Sequence, residues 1–230
     1  MSSQPLITII HHSFSYGPKQ ALRDVCLSIQ AGCVHGILGS NGAGKTTLFN
    51  GIFYNLKFSN SIQVRPDCQR SIAYLEAESF FYDHMTGNEY LRLVSNSQNE
   101  DIAQWNSLFD LPLHEYVSAY STGMKKKMAL LGVLLLKKQI IILDEPFNGL
   151  DFISCETVHH IIQRLKKTNK TVILSSHILE TLTKNADRIS ILENGSILHS
   201  FEREAFDQLE KMVSEKYRSH IEGVVDRLVQ

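Results

Sequence analysis

The chain has 230 residues, 43% hydrophobic and 20% charged, a balance that supports a packed core and excludes a disordered chain. With 23 Lys and Arg against 24 Asp and Glu the formal charge is −1, so no bulk positive field points to nucleic acid, and no nucleic-acid partner is expected. The longest apolar run, Met128 to Leu136, falls far short of the roughly 20 residues that cross a bilayer. Met1-Ser-Ser-Gln-Pro-Leu lacks the basic stretch and cleavage site of a secretory signal. Four scattered cysteines without CxxC spacing read as reduced thiols, and the chain is expected to be cytoplasmic.

In chain order, Leu6 to His12 and Leu22 to Ile29 alternate loosely around Tyr-Gly-Pro and predict antiparallel strands. Cys33 to Leu38 predicts a short strand entering a glycine-rich loop, with a helix over Thr46 to Ile52 behind it. After a strand at Ile72 to Leu75, apolar residues recur three and four apart, as in Leu91, Val94 and Ile102, Trp105, Leu108, Phe109; this predicts a mostly helical lobe. Ile140 to Leu143 is a continuous apolar run, expected of a strand buried on both faces. Helix Thr157 to Thr168, strand Thr171 to Ser175, helix Ile178 to Asn185 and strand Arg188 to Leu192 then alternate, which predicts a parallel, helix-covered sheet. Asn194-Gly195 signals a hairpin into Ile197 to Phe201, and Phe206, Leu209, Val213, Ile221, Val224 and Leu228 give the tail helical spacing.

Gly39-Ser40-Asn41-Gly42-Ala43-Gly44-Lys45-Thr46 fits G-x-x-x-x-G-K-[ST] between a strand and a helix. Glycines there let backbone N–H groups wrap a β-phosphate, and the helix N-terminus adds its dipole. Lys45 can reach the β- and γ-phosphates, Thr47 is counted with the loop among the nucleotide-binding residues, and the Thr46 hydroxyl can ligate Mg²⁺. The Ile140–Leu143 strand ends in Asp144 and Glu145, where Asp144 can hold the metal and Glu145 can orient or deprotonate water. The bland alternatives are a glycine turn without ligand and a common acidic strand exit. His11-His12 and His159-His160 are not read as metal ligands, because adjacent side chains diverge and no carboxylate or cysteine set completes a site. Lys125 to Lys127 reads as a solvated helix face.

With these elements the sequence resembles the ATP-binding subunit of ABC transporters. Tyr120-Ser121-Thr122-Gly123-Met124 stands in the place of the family's signature, ahead of the Asp144-Glu145 strand. Asn148-Gly149-Leu150-Asp151 looks like the loop after the catalytic glutamate, His177 like the switch histidine, and Tyr16 like the aromatic that stacks on adenine. The resemblance covers about residues 6 to 205 and implies an α/β fold: a P-loop NTPase core with a parallel sheet, an N-terminal antiparallel β subdomain and an inserted helical lobe. It implies one domain over 1–230, with core about 1–77 and 139–205, lobe about 78–138 and helical tail about 206–230. It further implies an Mg²⁺-dependent ATPase in which Glu145, His177 and Lys45 are catalytic. Ser121 and Gly123 would meet the γ-phosphate of ATP held by a second ATP-binding subunit, a copy or a paralogue. Separate permease chains would hold the pair on the inner face of the cell membrane. The Tyr-Ser-x-Gly-Met form resembles the subgroup paired with type-2 export permeases. One departure stands out: Ala77 occupies the family's loop glutamine, leaving open whether Glu76 or Glu78 replaces it. Rival readings are a soluble ABC-type ATPase acting on a protein complex and a nucleotide-gated binding module with little turnover.

Overall fold

A computed structural model describes residues 4–54, 60–95 and 99–216. Strands β1 (Ile7–Tyr16) and β2 (Lys19–Ile29) form an antiparallel pair, longer than the alternation predicted because bulges at His11 and beyond His12 break its period. Next come β3 (Val34–Leu38) and α1 (Lys45–Tyr54). Strand β4 (Ile62–Val64) pairs with the other edge of β1; at three residues it is too short for periodicity to find. β5 (Ile72–Leu75) leads into the lobe, made of α2 (Gly87–Ser95), α3 (Asn99–Asn106) and α4 (Thr122–Leu135). Between α3 and α4 the chain is mostly irregular, with a short 3-10 turn at Val117–Ala119.

The chain returns through β6 (Ile140–Leu143), α5 (Phe152–Lys167), β7 (Thr171–Ser176), α6 (Leu179–Thr183), β8 (Arg188–Glu193) and β9 (Ser196–Glu202). Six strands lie in the order β5-β6-β7-β3-β8-β9, the first five parallel and β9 antiparallel on the edge. Both faces of β6 are buried, as its four successive aliphatic residues require. One core cluster joins β6, β7, α4 and α5, and a second joins the phosphate-loop helix α1 to the antiparallel sheet. Helix continues over residues 206–216, with Phe206 and Leu209 buried on the first cluster; Ile221, Val224 and Leu228 lie outside the described residues.

Three local expectations are corrected. α5 begins at Phe152, not Thr157, because the Asp151 carboxylate caps it by accepting from Ser154 N at 2.9 Å. α6 is shorter than the predicted Ile178 to Asn185. The Lys125 to Lys127 run is not a solvated face: Lys126 is buried, and Lys127 pairs with Asp151 at 2.9 Å. Burial pulls the Lys126 pKa down, while Asp144 and Glu145 oppose the shift.

The β8–β9 hairpin turns through Asn194 (φ +49°) and Gly195 (φ +82°), the paired left-handed residues that an Asn-Gly turn supplies. Gly195 N donates to Ala43 O at 3.0 Å and Gly195 O accepts from Arg23 N at 2.8 Å, so the turn braces the phosphate loop against β2. A Cβ on Gly195 would stand 2.6 Å from Ala21 O, whereas one on Gly17, also at positive φ, would meet nothing within 4 Å. Gly17→Ala should therefore cost about 1 kcal/mol, from backbone strain alone. Gly195→Ala should cost at least about 2 kcal/mol because it adds the carbonyl clash. Urea denaturation of both variants checks this, and equal losses would show that the close approach does not matter.

Candidate functional site

Leu38 ends β3, and residues 39–44 then turn back over α1. Gly44 has φ +109°, and a Cβ there would stand 2.7 Å from Ala21 O, so only glycine fits. Lys45 opens α1 with its stem buried. Its ammonium donates to Gly39 O at 2.8 Å and Ser40 O at 3.1 Å and lies 3.0 Å from Glu145 Oε1.

At the end of β6, the buried Asp144 carboxylate gathers hydroxyl donors. Thr46 Oγ1 donates to Oδ2 at 2.6 Å, Ser175 Oγ donates to Oδ1 at 2.5 Å, and the Tyr74 hydroxyl stands 3.5 Å from Oδ2. Burial, reinforced by Asp144 and Glu76, pushes the Tyr74 phenol well above its ordinary pKa, so it remains a donor. Thr46 and Asp144 offer adjacent hard oxygens, and the carboxylate has no ion-pair partner among the described residues. That donor set fits Mg²⁺, which takes one or two protein oxygens plus phosphate and water.

Glu145 is 7% exposed and sits at φ +48°. Its Oε2 accepts from His177 Nδ1 at 3.1 Å while Oε1 faces Lys45. Glu145 thus stands between the other two members of the predicted trio, touching Lys45 through one oxygen and His177 through the other.

A cleft of about 470 Å³ is lined by Tyr16, Lys45, Thr46, Ala77, Asp144 and Glu145 among others, a size suited to a nucleotide. Asn41, Gly42, Gly44 and Thr47 also line it, while Gly39 and Ser40 turn carbonyls to Lys45 and Ala43 is buried. Tyr16, 53% exposed and edge-on to Phe14, stands at its rim. Ala77 lines the cleft and neither Glu76 nor Glu78 does; the Glu76 carboxylate accepts instead from Tyr54 OH at 2.7 Å.

Ser121 and Gly123 are not brought to this cleft. Ser121 is exposed and caps α4, its Oγ accepting from Met124 N at 3.3 Å. Gly123 packs so close to Gly149 that a Cβ would stand 2.7 Å from the Gly149 carbonyl. Sequence reasoning missed Ser175, whose hydroxyl also accepts from Glu145 N at 3.0 Å. A polar residue closing an apolar strand two positions before His177 was the available signal. Lys19, Gln20 and Arg23 on β2 line the cleft as well and carried no motif.

A family profile described as ABC transporter matches residues 22–148. The ABC transporter ATP-binding protein NatA of Bacillus subtilis (strain 168) is 32% identical over 200 residues, 78% of this chain and 81% of that protein. The bacitracin transport ATP-binding protein BcrA of Bacillus licheniformis is 29% identical over 214 residues, 85% of this chain and 68% of that protein. A solved structure described as the ATP binding subunit of an ABC transporter superposes with TM-score 0.80 at 24% identity, covering 93% of this chain and 98% of that one. A bacterial Atm1-family ABC exporter with ATP bound gives TM-score 0.80 at 18% identity, covering 96% and 42%. At these identities the two structures speak for the fold.

Lys45→Ala removes the cation that the loop holds over the cleft. Calorimetry should show ATP affinity lowered at least about thirtyfold, roughly 2 kcal/mol, as for loss of a charge-assisted bond to phosphate. Unchanged affinity would contradict the phosphate-loop role.

Proposed function

Because the chain belongs to the ATP-binding family of ABC transporters, we propose that it drives separate permease chains by closing head to tail on a second ATP-binding subunit. Family membership makes it an ATP-binding ATPase; the pairing, the membrane partner and the direction of transport are the further reading. One observation carries it: Ser121, the exposed cap of α4, lies outside the cleft that holds Lys45 and Glu145. A hydroxyl and helix N-terminus suited to a γ-phosphate therefore need another chain's cleft. Phe152 and Ile153, 79% and 76% exposed beside the 148–151 loop, supply apolar area for such a closure. Phe80 and Tyr82, edge-to-face at 5.1 Å and exposed just beyond Ala77, offer a surface for a permease. Among the described residues no helix is long and apolar enough to cross a membrane, so translocation would fall to the partner chains. Export rests on the Tyr120 to Met124 pattern.

The chemistry follows from the contacts. An arriving γ-phosphate competes with Glu145 for the Lys45 ammonium, and it also competes with the Gly39 and Ser40 carbonyls. Lys45 then stabilises phosphate charge, and Glu145, released from it, can orient a water for attack. His177 keeps the Glu145 carboxylate aimed as Lys45 changes partners. Tyr16 at the rim can stack on the adenine, and Thr46 with Asp144 would hold Mg²⁺, which supplies charge neutralisation across the phosphates. A binding module with little turnover would not need the Glu145–His177 contact.

Glu145→Gln should bind ATP and retain it, so that a sizing column shows an ATP-dependent dimer. Ser121→Arg added to that variant should abolish the dimer by placing a bulky cation at the trans contact. A dimer that survives the double change would overturn the pairing.

A further inference from the structure

Lys126 lies in the second turn of α4, 7% exposed. Its ammonium donates to the carbonyls of Ala77 at 2.9 Å, Asp144 at 3.2 Å and Glu76 at 3.3 Å. An ammonium has three N–H donors, so three acceptors satisfy it. Burying a charge against neutral carbonyls is unfavourable unless the geometry is held, which makes the arrangement unlike an incidental surface lysine.

The Asp144 carbonyl is the decisive acceptor. It belongs to the peptide unit joining Asp144 to Glu145, and the N–H of that same unit donates to Ser175 Oγ at 3.0 Å. The peptide plane is thus held at both ends, from α4 and from β7. The Glu145 φ is measured from that plane, and its value of +48° lies in the left-handed region that L side chains avoid. From that backbone the carboxylate reaches Lys45 at 3.0 Å and His177 at 3.1 Å. The same ammonium ties down the loop at Ala77, where the side chain offers no polar atom.

We propose that Lys126 is a positioning residue for hydrolysis: it pins the peptide plane that aims Glu145 and links that plane to α4, the helix capped by Ser121. A contact made at Ser121 by a second subunit therefore bears, along one helix, on the pose of Glu145. This rests on the ATPase reading of the cleft.

Two variants separate positioning from simple packing. Lys126→Met keeps most of the length of the side chain without donors, and Lys126→Gln keeps two N–H donors without charge. Steady-state turnover and ATP affinity are measured for both beside the unaltered protein. Lys126→Met should lower kcat about thirtyfold or more, and Lys126→Gln roughly three- to tenfold. Both should bind ATP within about threefold of the unaltered protein, since the lysine does not touch the phosphate loop. Equal losses in the two variants, unchanged kcat in Lys126→Met, or a kcat loss matched by lost ATP affinity would each overturn the inference. If circular dichroism shows Lys126→Met unfolded, Lys126→Gln decides: a fall in kcat at unchanged affinity supports the role, and any other result overturns it. Absence of turnover in the unaltered protein would overturn the ATPase reading itself, an outcome distinct from active protein with insensitive variants.

Discussion

The parallel ladder of β6, β7 and β3 is the constraint on which the site depends. Leu143 lies opposite Leu174, and Leu38 lies opposite Ser176, so three strands end at nearly one level. Gly39, Asp144 and His177 follow those ends directly. A slip of two residues in one strand would carry its functional groups about 7 Å along the sheet, beyond any hydrogen bond in the cluster. What prevents the slip is burial: β3, β6 and β7 are buried throughout, packed between α4 and α5 on one side and α1 with the antiparallel sheet on the other. Ser175 adds a side-chain lock across the ladder by joining Asp144 and Glu145 to β7.

Electrostatics then sets how the cleft works. Lys45 and Glu145 are a buried pair, and neither charge can lose its partner without a replacement. Phosphate is a suitable replacement on the lysine side, and His177 already contacts the carboxylate on the other. On the proposed reading, ATP binding and the release of Glu145 would be coupled through this change of partner. The left-handed backbone at Glu145 belongs to the same design, since strain at a functional residue persists only where neighbours over-determine it.

Much of this was legible in the chain itself. The phosphate loop is contiguous, so its type and place could be read directly, and the core strands announce themselves as unbroken aliphatic runs. The Asn-Gly turn was legible for the same local reason. What escaped depends on distant parts of the chain. β4 exists because β1 offers it an edge, not because three residues carry a pattern. The start of α5 was hidden because Asp151, read as loop, is also the cap. Lys126 sits in a run of lysines that reads as solvent-facing, yet its acceptors lie 18 to 50 residues away, where no local rule reaches.

The central claim is that a complete site takes Lys45 from one chain and Ser121 from another. Mixing Lys45→Ala with Ser121→Arg protein tests it directly, because each variant alone has no intact composite site while a mixed pair has one. The account predicts turnover in an equal mixture clearly above that of either variant alone, since only a mixed pair carries an intact composite site. A mixture no faster than its separate components would contradict it.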